Sequence, residues 1–311
     1  HGFVPYLILQ LTHSGRFGKC KKILYHAAML DKASHVDSEA PIMSDEELDW
    51  LKGEYLKAAK LAKEAGFDAV DVKACHRYLI SEALSAHTRE GKYGGSYENR
   101  TRMLKDIISL IKDNVDIDIA VRLNVYDAIP YPYGWGCDEN GGLLEEEPRR
   151  LVRELEALGV STINVTASTP YIYPHINRPY DESKDYHPPE HPLKGVSRLL
   201  KLAKLVSEET KNVLVVGTGY SWLREFAPYV AAAMIENGWS HLVGFGRQAF
   251  AYPDFAGDIL ERGRLDREKL CITCNKCAEL KAATMNCGCV VRDAQVYGPI
   301  YNELLRRRKR A

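Results

Sequence analysis

Six short apolar runs, each separated from the next by a stretch with helical features, restrict this chain to folds built on a parallel sheet. The runs are Pro5–Leu11, Val70–Lys73, Ile117–Leu123, Thr162–Thr166, Val213–Val216 and His241–Phe245. Ser44 and Glu47 have the spacing of a capping box ahead of Leu48, Leu51, Tyr55, Ala58, Ala59 and Ala62, and Gly66 closes that helix. Met103, Leu104, Ile107, Ile108 and Ile111 share one face of a second helix. Leu151, Leu155 and Leu158 do the same after Pro148, Gly195–Thr210 is amphipathic, and a last helix reaches Asn237-Gly238. Such alternation allows a (β/α)8 barrel or a doubly wound sheet, and six strands alone cannot close an eight-stranded barrel.

In such folds a ligand meets side chains at the carboxyl ends of the strands, and here those ends are loaded. The Val70 run leads into His76, Arg77 and Tyr78, then into a polar loop holding Tyr93-Gly94-Gly95-Ser96. The first run ends in Gln10, His13 and Arg16, and the third in Arg122 and Asn124. The last two close on Gly217-Thr218-Gly219 and Gly244-Phe245-Gly246-Arg247. Glycines at consecutive strand ends let backbone amides approach a phosphate, and an arginine adds a charge-assisted fork. After Thr166 comes a long loop with Tyr171, Tyr173, His175, Arg178 and Tyr180, which either caps a pocket or forms an aromatic surface.

Five of the eight cysteines fall between Cys271 and Cys289, a clustering suited to a metal centre rather than to a disulfide framework. Cys271-x2-Cys274-x2-Cys277 places three thiolates on one loop, and Cys287 or Cys289 is the fourth. Iron-sulfur and structural zinc are the two candidates, and three close thiolates with a distant fourth suit [4Fe-4S]. With 42 basic against 42 acidic side chains, no broad nucleic-acid surface is expected. No apolar run reaches the ~20 residues that span a bilayer, and the first residues lack the pattern of a secretory signal, so a cytoplasmic address and no membrane partner are expected.

The runs VDVKACHRYL (Val70–Leu79) and YGGSYENRTR (Tyr93–Arg102) resemble the old yellow enzyme family of FMN-dependent reductases. QLTHSGR (Gln10–Arg16), AGFDAVDV (Ala65–Val72), VRLN (Val121–Asn124) and GFGRQAFAYPDF (Gly244–Phe255) extend the likeness over nearly the whole chain. The cysteine segment is similar to the branch containing 2,4-dienoyl-CoA reductase and trimethylamine dehydrogenase. Lys73 departs from the pattern, standing where the family usually has a histidine. The resemblance implies an α/β fold, a (β/α)8 TIM barrel incomplete at the N-terminus, with residues 1–265 supplying about strands 3 to 8 and binding FMN. Residues 266–311 then form an iron-sulfur segment and a basic tail.

The resemblance further implies a role for each site. Gln10 and Arg122 match positions that contact the flavin ring, and Gly217, Thr218, Gly219, Gly246 and Arg247 become the FMN phosphate site. His76 and Tyr78 match the substrate-facing pair, in which one side chain bonds the activating carbonyl and the tyrosine gives a proton opposite the hydride. Lys73 can hold the enolate or an anionic substrate, or simply pair with Asp71 or Asp127. The branch has eleven residues between its third and fourth cysteines, which makes Cys271, Cys274, Cys277 and Cys289 the ligands and Cys287 the spare. The expected activity is FMN- and [4Fe-4S]-dependent reduction of an activated C=C bond, an enone or enoyl thioester, with electrons from NAD(P)H or an electron-transfer protein; a homo-oligomer is compatible with this. The alternatives are oxidative demethylation of a methylated amine, a Schiff-base lyase acting through Lys73, and a non-catalytic zinc and RNA-binding module using the cysteines and the tail Arg306–Arg310.

Overall fold

The computed structural model describes residues 4–183 and 186–310. Its centre is one parallel sheet of six strands: β1 (Ile8–Leu11), β2 (Ala69–Ala74), β3 (Asp118–Asn124), β4 (Thr162–Thr166), β5 (Leu214–Gly217) and β6 (Leu242–Val243). The spatial order is the chain order, each strand pairing with the next. A doubly wound sheet must reverse its strand order at a switch point, so this single sequential winding is the arc of a (β/α) barrel. β1 and β6 do not pair with each other, and apolar side chains stay exposed beside them, among them Leu7, Ile8, Leu214 and Leu242.

Alternation along each strand separates two chemistries. Val70, Val72, Ile119, Val121, Leu123, Ile163, Val165 and Val215 are fully or almost fully buried on one face, against helices that include Asp45–Glu64, Tyr97–Asn114 and Pro192–Glu208. The helix Asp45–Glu64 begins as expected: the Ser44 hydroxyl accepts from Glu47 N–H and the Glu47 carboxylate accepts from Ser44 N–H. The other face is polar. Register puts Gln10 beside Asp71, and then Lys73, Arg122 and Asn164 side by side on neighbouring strands.

The β6 run is shorter than the expected His241–Phe245, and two helices had no signal in the sequence. Ala28–Ser34 starts without a side-chain cap, in a stretch expected to be loop, and buries only Leu30 and Ser34. Leu79–Leu84 follows Tyr78 directly and buries every one of its side chains, so it has no amphipathic pattern to read.

Buried ion pairs tie these segments to the sheet. Arg16, after β1, grips Glu82 through Nε (2.8 Å) and Nη2 (2.7 Å), and both side chains are wholly buried. Glu82 also accepts the Leu24 N–H (2.8 Å), and Arg16 reaches Asp31 at 2.7 Å. Removing one member leaves an uncompensated buried charge. Glu82→Ala should therefore lose ~3–5 kcal/mol of stability, read as a lower urea midpoint.

Candidate active site

The segment after β2 is bent by two successive non-glycine residues in the left-handed region, His76 (φ 62) and Arg77 (φ 61). That conformation costs free energy and persists only where its surroundings enforce it. Here Arg77 is wholly buried against Asp127 (2.8 Å), and the His76 N–H donates to Asn124 Oδ1 (3.3 Å). Asn124 in turn donates to Asp127 Oδ1 at 2.7 Å. The bend leaves His76 and Tyr78 half-buried at the strand end.

Tyr78 meets Tyr171 hydroxyl to hydroxyl at 2.8 Å, and Phe17 stacks on Tyr171 with centroids 3.9 Å apart. Tyr171 thus caps the site, whereas His175 turns to Tyr186 (2.6 Å). Burial holds the His76 imidazole well below its ordinary value, reinforced by the charges of Arg122, Lys73, Lys281 and Arg178. His76 is therefore neutral, and its Nε2 lies 3.4 Å from Thr166 Oγ1. Lys73, 8% exposed, stands with its ammonium 3.5 Å from the Tyr78 ring centroid. Burial is the main cause that lowers it to about 8 from the ordinary 10.5, and Arg122 and Lys281 add to the effect.

A cavity of about 250 Å³ opens beside this group, lined by Arg122, Asn164, Arg178, Thr218, Gly219 and Arg247, with the Gly244–Gly246 backbone along it. Arg122 Nε, Arg178 Nε and Asn164 Oδ1 are buried there without a protein partner. Burial, and then the charge of Arg247, push the Arg178 guanidinium down. Three arginines and orphaned donors facing one cavity suit a phosphate and a polar ring edge. Gly219 has φ +102, and a Cβ there would come within 2.8 Å of Leu199. Gly217 and Gln10 lie outside this lining: a Cβ on Gly217 would meet the Tyr220 hydroxyl at 2.9 Å, and Gln10 Nε2 is donated to Asp71 (2.6 Å). Arg178, Asn164 and Lys281 join the site without a motif of their own.

A second, small cavity is lined by Cys271, Cys274, Cys277 and Cys289 together with Arg247 and Asn275. Cys287 is not part of that lining and donates its thiol to the Cys277 carbonyl (3.0 Å). Backbone N–H groups point at two of the lining sulfurs, Thr273 to Cys271 (3.4 Å) and Arg292 to Cys289 (3.3 Å). Among the described residues no group of three or more His, Cys, Asp or Glu side chains is placed so that it could hold a metal ion. Arg247 lines both cavities, and its Nη1 donates to Asn275 Oδ1 at 2.5 Å. Among the described residues no helix is long and apolar enough to cross a membrane.

Comparison with known proteins converges on one family. The model of the NADH:flavin oxidoreductase / NADH oxidase family matches residues 6–266. NADH oxidase of Thermoanaerobacter brockii is 27% identical over 282 residues, 88% of this chain and 39% of that protein. NADPH dehydrogenase of Listeria monocytogenes is 32% identical over 182 residues, 55% of this chain and 50% of that protein. The chain thus spans half or less of the length of these relatives. Among solved structures, 6-hydroxypseudooxynicotine amine oxidase of Pseudomonas geniculata shares the fold with a TM-score of 0.65 and 25% identity, over 85% of this chain and 37% of that one. The old yellow enzyme homologue of Zymomonas mobilis has a TM-score of 0.58 at 22% identity, over 84% of this chain and 68% of that one.

The site carries a measurable cost. The folded-state value of Lys73, about 8, lies below its ordinary 10.5, so the stability it contributes is complete above 10.5 and is lost as the pH falls through about 8. Lys73→Met removes that loss. It should raise the stability at pH 7 by ~1–3 kcal/mol and flatten the rise seen on going to alkaline pH, both read from urea unfolding at several pH values.

Proposed function

Because the chain belongs to the NADH:flavin oxidoreductase / NADH oxidase family, the old yellow enzymes, we propose that it binds FMN and reduces an activated carbon-carbon double bond. The observation that carries this reading is the cavity whose arginine and asparagine atoms are buried without protein partners beside the Tyr78–Tyr171 pair. Arg178, Arg247 and the Gly244–Gly246 backbone would hold the phosphate, and Arg122 with Asn164 the polar edge of the ring. When bound, FMN supplies hydride to the alkene and takes its electrons from NAD(P)H or a protein donor.

The chain's own residues handle the proton and the developing charge. Neutral His76 is a hydrogen-bond donor for the substrate carbonyl, where negative charge grows as the β-carbon gains hydride. Tyr78 gives its phenolic proton to the α-carbon and regains one through the Tyr171 hydroxyl. The stacked ring of Phe17 supports Tyr171, whose hydroxyl meets that of Tyr78 on the solvent side.

Cys271, Cys274, Cys277 and Cys289 would hold the [4Fe-4S] cluster, which transfers single electrons. Four cysteines line one cavity, with backbone N–H groups of Thr273 and Arg292 pointing at two of their sulfurs, and three close thiolates with a distant fourth suit a cluster. Membership of an oxidoreductase family displaces the Schiff-base lyase and the zinc and RNA-binding module. Amine oxidation, the activity named for the Pseudomonas geniculata neighbour, is disfavoured because an alkylammonium would face Lys73, Arg122, Arg178 and Lys281.

Tyr78→Phe keeps the ring and deletes the acid. Flavin reduction by the donor should proceed unchanged, while reoxidation by enones slows by ~10²-fold in stopped-flow absorbance; unchanged reoxidation would remove Tyr78 as the donor. Iron and sulfide analysis tests the cluster. Cys289→Ser should lose most of both, and Cys287→Ser should keep them, so equal loss would defeat the assignment.

A further inference from the structure

Asn275 does not do what its place in the chain would have it do. It stands at the N-terminal cap of the helix Lys276–Ala282, where an asparagine side chain ordinarily accepts an N–H of the first turn, yet it makes no such bond. Its backbone lies in the left-handed region (φ 61) and the residue is buried. Its Oδ1 instead accepts from Arg247 Nη1 at 2.5 Å. Among the described residues that is the one side-chain hydrogen bond Arg247 makes.

The residue next to Arg247 repeats the connection. Gln248 is wholly buried, and its Oε1 accepts the Cys271 N–H at 3.0 Å. Two consecutive side chains at the start of the helix Arg247–Ala251, just after β6, are thus fastened to the loop that carries the cysteines. Gln248 fixes where the two segments meet. Asn275 fixes the guanidinium, which lines the cavity together with Arg178.

We propose that Asn275 is a positioning residue for the flavin phosphate, which it serves without touching, by presetting the Arg247 guanidinium. This rests on the FMN reading and adds to it a residue from the cysteine segment. A free arginine side chain loses its rotamer freedom when it closes on a ligand. A guanidinium already held at one nitrogen has given up part of that freedom before phosphate arrives, and its remaining N–H groups are left to donate. The amide matters as well. A carboxylate in that place would grip the arginine more strongly but neutralise it, whereas a neutral carbonyl oxygen orients the guanidinium and leaves its charge to the phosphate.

The test titrates the full chain, freed of flavin, with FMN and with riboflavin, which has the same ring and no phosphate, and follows flavin fluorescence. Asn275→Gly deletes the side chain and keeps the left-handed backbone, because glycine adopts positive φ without steric cost. The parent should bind FMN about 100-fold or more tighter than riboflavin. In Asn275→Gly that ratio should fall about 10-fold with riboflavin affinity unchanged. Arg247→Gln should lower the ratio further, and adding Asn275→Gly to it should change nothing more, since the arginine through which Asn275 acts is gone. A ratio that survives in Asn275→Gly, equal weakening of both flavins, or an undiminished effect in the Arg247→Gln background overturns the proposal and leaves the FMN reading standing. A parent that binds neither flavin, or binds riboflavin as tightly as FMN, defeats the phosphate site itself and the inference with it.

Discussion

The buried pair of Arg77 and Asp127 is the constraint on which the active end of this sheet depends. It joins the segment after β2 to the segment after β3, and Asp127 also accepts from Trp135 N–H (2.9 Å) and Asn124 (2.7 Å). These contacts hold His76 and Arg77 in a conformation that an L-residue rarely adopts. Without them the chain would relax into an ordinary extended path, and Tyr78 would lose its approach to Tyr171. The free energy of strain at the site is thus offset by an ion pair that Arg77, one of the two strained residues, itself makes.

The sheet itself works as a divider. One face is apolar and fixes the helices; the other carries Asp71, Lys73, Arg122 and Asn164 in adjacent registers. A protein selected for stability alone would not set a lysine beside an arginine on a buried face, because each desolvated cation makes the other worse. On the proposed reading that cost serves binding at the cavity.

Much of this was legible in the sequence, for reasons that can be named. Period-2 and period-3.6 patterns locate strands and helices where one face is buried and the other is wet, as in Asp45–Glu64 and Tyr97–Asn114. The pattern fails where burial is complete, as in Leu79–Leu84, and where a strand is only Leu242–Val243. Strand-end residues such as Tyr78, Arg122 and Arg247 could be read because topology fixes where they go. Phe17 and Lys281 could not, since each comes from a different segment outside the sheet and meets the site only in the folded chain, and Arg178 is visible there only as a member of the long loop after Thr166. Gln10 and Gly217 stand at strand ends as expected, where Gln10 donates to Asp71 and a Cβ on Gly217 would meet Tyr220 and Ser240.

Arg247 belongs to two cavities at once, and its guanidinium is tethered to Asn275 in the cysteine segment. On the proposed reading, a single charged group shared in this way links the two sites. Whatever factor occupancy of the cysteine cavity applies to phosphate affinity, phosphate occupancy must return in equal measure to the cysteine cavity.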